Sequence, residues 1–166
     1  MIFTPHIVVG MAIGAKTQNL GLIIILGLLF HFAMDKIPHW DYVNSGIRNF
    51  PRTKNFKALF SDFFKIAIDG LFGLLIVFLC IWQKGVFTPR YLLFILLGIF
   101  FSILPDIDLA FSFLLLPQKI SKKYFAFHEK YLHYSEDKEK EGKITFLGII
   151  TQILMIIIAL SFFFLD

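Results

Sequence analysis

His31, Asp35, His39 and Asp41 fall within one short segment, HFAMDKIPHWD (31–41). The i, i+4 spacing of His31 and Asp35 sets both side chains on one face of a helix. An imidazole and a carboxylate presented together are ligands for a divalent metal ion. Asp106 and Asp108 lie in LPDID, after Pro105, and His128 and His133 lie in FHEKYLH. The last two are spaced i, i+5, about 140° apart on a helix, so both need not bind one ion. Histidine nitrogen and carboxylate oxygen, without thiolate, suit zinc, with manganese or iron less favoured. The single cysteine, Cys80, sits in an apolar run. It excludes a disulfide or a Cys-rich zinc site within one chain.

The elements that position these residues belong to a membrane. Of the 166 residues, 57% are hydrophobic and 22 are phenylalanine. The mean hydropathy is +0.75, whereas soluble domains are about 45–50% apolar. Apolar stretches cover residues 20–34, 63–82, 91–104 and 144–165, near the roughly 20 residues a spanning helix needs. Residues 6–15 are too few to span alone. Thr4-Pro5 reads as an N-cap followed by proline at the first helical position. Residues 16–19, KTQN, read as a tight connection, so residues 5–34 form a helical hairpin. A helix break is expected at Pro105, where carboxylates converge and backbone carbonyls are free. Segments 42–59 and 117–143 are polar and basic, with a short interfacial helix expected over 124–134. The opening MIFTPHIVVG lacks a basic n-region and a cleavage site, which argues against a cleaved signal peptide. The expected fold is all-α: one membrane domain of about five helices, the first short.

Hairpin geometry aligns the polar groups to within about one helical turn, ~5 Å. Counting outward from the turn near residue 18 brings His6 level with His31. Counting outward from residues 83–90 brings Asp69 level with residue 104, beside Asp106. All five histidines then share one end of the bundle with Asp35, Asp41, Asp62, Asp69, Asp106 and Asp108. Asp69 lies deepest and most needs a partner, because an ionisable group within a membrane is costly alone.

Thirteen of the 16 basic residues lie on that side, and only Lys16, Lys84 and Arg90 lie on the other. The positive-inside rule makes the His/Asp end cytoplasmic. It also accounts for the pI of about 9.2 without a nucleic-acid partner. Plainer roles compete at most positions. His39 and Trp40 suit interfacial anchoring, and Asp41 or Asp108 a helix cap. His31–Asp35 suits a buried hydrogen-bonded pair, and Asp69 a packing contact. Asp62, beside Lys65, reads as a solvated charge favoured by a helix N-terminus. His128 and His133 suit a charged surface.

TPHIVVG, HFAMDKIPHWD, LPDID and FHEKYLH together resemble motifs of the YdjM-like family of inner-membrane metal-dependent hydrolases. The H-x-x-x-D element is also similar to the zinc-binding helix of zinc-dependent phospholipase C. The resemblance implies a site of two or three zinc ions that cleaves phosphoesters. It implies His31 and Asp35 as ligands, with His39 a possible third. His6 matches the family's N-terminal T-H histidine, with Pro5 intervening here, and Asp106 and Asp108 match P-D-x-D. His128 and His133 match the late histidine motif without its usual Arg-Gly and His-Ser neighbours. The metal set is therefore His6, His31, Asp35, His39, Asp69, Asp106, His128 and His133. An unligated Asp41 or Asp108 suits a general base. The expected function is hydrolysis of a phosphoester, including a lipid-linked one, with membrane lipid as partner. The alternatives are a cation- or proton-coupled transporter and a non-catalytic metal-binding membrane protein.

Overall fold

The computed structural model describes residues 1–132, 134 and 142–165. His133, a candidate ligand, lies outside the described residues. Among them the chain forms seven α-helices, a π-helical turn and no strand. The helices are α1 (Phe3–Thr17), α2 (Leu20–Asp35), α3 (Ser45–Thr53), α4 (Phe56–Lys84), α5 (Pro89–Leu115), α6 (Gln118–Phe127) and α7 (Phe146–Phe164). The π-helical turn, His128–Leu132, continues α6.

Local chemistry sets the helix starts. The side chains of Asn19, Asn55, Thr88 and Thr145 accept backbone N–H bonds from Leu22, Ala58, Tyr91 and Gly148. These bonds satisfy donors that an α-helix leaves unpaired in its first turn. Gly85 ends α4 at a φ of 68°, a left-handed conformation that costs glycine little.

α1 is the axis of the bundle. It packs against α5, α4, α7 and α2, and every residue from Thr4 to Ala15 is buried. The hairpin reading thus understates it: α1 is the core element that the other helices enclose. Glycine permits the tightest crossing. A Cβ on Gly10 would lie 2.6 Å from the carbonyl oxygen of Gly98, and one on Gly14 would run into the backbone of Phe94 and Ile95. Gly10 and Gly14 form the small-xxx-small spacing that lets helix backbones approach closely in membranes.

Three helices, α4, α5 and α7, are long and apolar enough to cross a membrane. Their outward residues, among them Leu71, Phe72, Trp82, Leu96, Phe146 and Ile158, are exposed. Such continuous apolar surface marks contact with lipid or protein rather than water. α2, read as a span from its sequence, has 16 residues and is about 24 Å long, short of the ~30 Å hydrocarbon core. α4 begins at Phe56, earlier than residue 63, because Asn55 caps it there. α5 corrects the expected break: it runs through Pro105 to Leu115. The short helix expected over 124–134 is α6 plus the π-helical turn, so it starts earlier than residue 124.

One end of the bundle is closed by cations. Lys84 Nζ donates to the Phe163 carbonyl at 2.9 Å, and Lys16 Nζ donates to that of Leu165. Lysines placed at the last carbonyls of a helix satisfy them and favour the dipole. The carboxylate and imidazole groups gather at the opposite end.

Candidate metal centre

Asp35 is the hub of that end. Its side chain is fully buried. Oδ1 lies 3.2 Å from His6 Nε2 and accepts from the Met1 α-ammonium at 2.9 Å. Oδ2 faces His31 Nε2 at 3.3 Å. The level count across the first hairpin holds in space, because the His6 and His31 rings stack with centroids 4.4 Å apart.

His31 is held in one tautomer. Its Nδ1 donates to the Ser102 carbonyl at 2.8 Å, since a carbonyl only accepts. Pro105 has no N–H to give the ladder of α5, which leaves the Phe101 carbonyl open; the Ser102 carbonyl, one residue on, takes the His31 proton. In the neutral ring Nε2 then carries a lone pair. It points at Asp35 Oδ2 and, at 3.8 Å, at Asp106 Oδ1. His31 Nε2 and Asp35 Oδ2 are both buried without a hydrogen bond. Three acceptors facing one another repel unless a cation or a shared proton lies between them. A backbone carbonyl that fixes the far nitrogen is the usual support of a metal-bound histidine.

His128 completes the group. It is buried at the first position of the π-helical turn, a distortion that recurs at functional sites. One ligand atom from each of His31, Asp35, Asp106 and His128 lies within 4.8 Å of every other. Ligands about 2.0–2.2 Å from a tetrahedral ion sit roughly 3.4 Å apart. Rotamer adjustment closes that difference. The cluster can therefore hold a metal ion, through two nitrogens and two oxygens. That donor set is compatible with zinc, manganese and iron alike.

The field at the cluster is negative. Burial alone would lower the pKa of the Met1 ammonium, but Asp35, then Asp41 and Asp106, raise it from 8.0 to about 11. The same field attracts other cations.

The remaining sequence candidates take other places. Asp41 is part exposed, 3.6 Å from the Met1 ammonium, and Oδ1 accepts from the Tyr42 N–H at 2.8 Å. Asp108 is exposed and its Oδ2 accepts from the Tyr124 hydroxyl at 2.8 Å, tying α5 to α6. Partial burial, and then this bond, push the Tyr124 phenol to about 12. The reason for the divergence is the unbroken helix: residues two apart point to nearly opposite faces. Asp106 therefore faces the cluster and Asp108 does not. His39 Nδ1 donates to the Ile37 carbonyl at 2.7 Å and lies outside the group of four. Its segment docks on α7, where Thr151 Oγ1 donates to the Pro38 carbonyl and Gln152 to that of Trp40.

Asp69 lies outside the group of four. It caps α1 from a distant part of the chain, accepting from Thr4 Oγ1 at 2.6 Å and from the Thr4 and Phe3 N–H groups. Tyr42 adds a fourth donor at 3.4 Å. Depth counting gives the level of a side chain but not its direction around the bundle, so it does not reveal that this carboxylate is spent on the start of α1. Asp69→Ala is expected to cost about 1–3 kcal/mol, the price of leaving those donors unmet, with the metal content retained. Thermal unfolding in detergent and metal analysis check both halves.

Asp62 also differs from its reading as a solvated charge. It is buried, accepts from the Ile47 N–H at 3.1 Å and binds Lys65 at 3.0 Å. It pins the start of α3 to α4, an association that no local pattern announces. Neither the Ser102 carbonyl nor the Met1 amine carries a side-chain signal in sequence, so both escape a motif-based reading. No protein-family model, curated protein or solved structure matches the chain.

Proposed function

We propose that the chain is a membrane-embedded, metal-dependent hydrolase that acts on a phosphoester at the cytoplasmic face of the inner membrane. The observation that carries this reading is the His31 ring. Its proton is committed to the Ser102 carbonyl, and its lone pair is turned toward two carboxylates. The motif resemblance to YdjM-like hydrolases supplies the reaction class, and the excess of basic residues at this end supplies the orientation.

A divalent ion held there acidifies water and offsets charge on phosphoryl oxygens. His31, Asp35, Asp106 and His128 would hold it, and His6 would orient Asp35. Asp41 suits the general base better than Asp108 does. It is part exposed and borders the same cleft as Asp106 and His128, whereas Asp108 is outside that cleft and engaged by Tyr124.

A site closed on one side favours hydrolysis over transport. Between the cluster and the Lys16–Lys84 end the core is filled by Val8, Met11, Ile23, Ile95 and Ile99, all buried. Among the described residues that packing offers a cation or proton no polar path. The test is a panel of phosphodiester, phosphomonoester and lipid phosphate substrates with zinc or manganese. Turnover lost on chelation and regained on adding metal is expected. Ion flux in reconstituted vesicles without any hydrolysis would favour the transporter.

A further inference from the structure

A cleft of about 280 Å³ opens beside the cluster, between α3, α4, α5, α6 and the N-terminal end of α1. Its inner wall includes Asp106 and His128. Its outer wall includes Phe63 of α4 and Phe111 of α5, both exposed. The lining is therefore polar at the metal-binding group and apolar where the cleft meets two helices suited to a membrane. The volume is near the lower end of the roughly 300–1,000 Å³ of ligand sites, room for one chain rather than two.

Arg48 is the basic side chain of the lining, which also includes Met1 and the carboxylates of Asp41, Asp106 and Glu129. It rides on α3, and its guanidinium stacks 4.4 Å from the centre of the Phe125 ring. Planar, stacked guanidinium matches phosphate oxygens in a fixed geometry. α3 is held rigidly for so short a helix. Asp62 accepts from its Ile47 N–H, and Gly46 brings it against α4 so closely that a Cβ there would meet the Ala58 backbone. The buried carboxylate thus places Arg48 at the cleft.

We propose that this cleft seats one acyl chain of an anionic phospholipid that enters sideways from the membrane, with its phosphate on Arg48 and its headgroup ester at the cluster. The inference rests on the hydrolase reading for its chemistry, but the seating of the lipid is separable from turnover. The apolar outer wall argues for a chain, and the arginine for an acidic headgroup. Ala110, also in the lining, is where added bulk would fill the cleft.

The test uses the full chain in phosphatidylcholine nanodiscs with a phosphatidate whose acyl chain carries a diazirine. After photolysis, the labelled residues are mapped by mass spectrometry. The expected result is labelling at Phe63, Ile66 or Phe111 that unlabelled phosphatidate displaces and glycerol phosphate does not. Ala110→Trp and, independently, Arg48→Ala should each lower it about ten-fold, with Arg48→Lys between, and metal content unchanged in all three. Label spread evenly over the outer faces of α4, α5 and α7, unaffected by these changes, would overturn the proposal. So would displacement by glycerol phosphate equal to that by phosphatidate. Labelling needs no turnover, so its failure counts against the lipid seat alone. Absent hydrolysis with the cleft labelled counts against the hydrolase reading and leaves the seat supported.

Discussion

Asp35→Asn is expected to strip the metal while the bundle stays folded and, under the proposed hydrolase function, to abolish turnover. The carboxylate is fully buried and meets the Met1 ammonium, His6 and His31 at 2.9, 3.2 and 3.3 Å. Asparagine keeps its shape and volume. Its oxygen can accept from the ammonium, and its NH2 can turn to His31 Nε2. The amide would then satisfy the lone pair that otherwise calls for a cation. The helices keep their contacts, so circular dichroism should be unchanged. The loss in metal affinity should exceed the roughly 10–100-fold that follows when only a ligand's supporting hydrogen bond is disturbed. Metal analysis and single-turnover assays read the two effects separately. Full activity in Asp35→Asn would remove this residue from the site.

The second large effect is structural. Gly98→Leu should prevent the chain from folding, because a Cβ at Gly98 would collide with the backbone of Gly10. Backbone atoms in two packed helices cannot turn away as a flexible side chain does. Overpacking a core costs about 1–3 kcal/mol when side chains can adjust, and here they are not the obstacle. α1 is enclosed by α2, α4, α5 and α7, so displacing it opens the whole bundle. It also moves His6 off Asp35. Aggregation on size-exclusion chromatography in detergent is the expected readout, with Gly70→Leu as the contrast. A Cβ at Gly70 meets nothing within 4 Å, and that variant should elute as the parent does.

Several parts of this architecture are legible from sequence because they depend on local rules. Apolar length identifies α4, α5 and α7, whereas the caps at Asn55, Thr88 and Thr145 that set their starts are not part of that signal. The KTQN connection allows His6 and His31 to be levelled by counting residues. The i, i+4 rule places His31 and Asp35 on one face. The failures are of a different kind. Pro105 reads as a break by propensity, but neighbouring helices and side chains satisfy freed carbonyls inside a bundle, and α5 continues. That continuation separates Asp106 from Asp108. Asp62 and Asp69 read as a surface charge and a deep ligand because their partners, the N-termini of α3 and α1, are distant in sequence. The cleft draws its walls from five helices and the segment before α3, so no single segment carries its pattern.

The central claim is that His31, Asp35, Asp106 and His128 hold a divalent ion. Metal analysis of the protein, extracted and purified in detergent without added metal, tests it most directly. The account predicts at least about one equivalent of zinc, manganese or iron per chain, lost in His31→Ala. A folded, metal-free protein that takes up neither zinc nor manganese on incubation would contradict it.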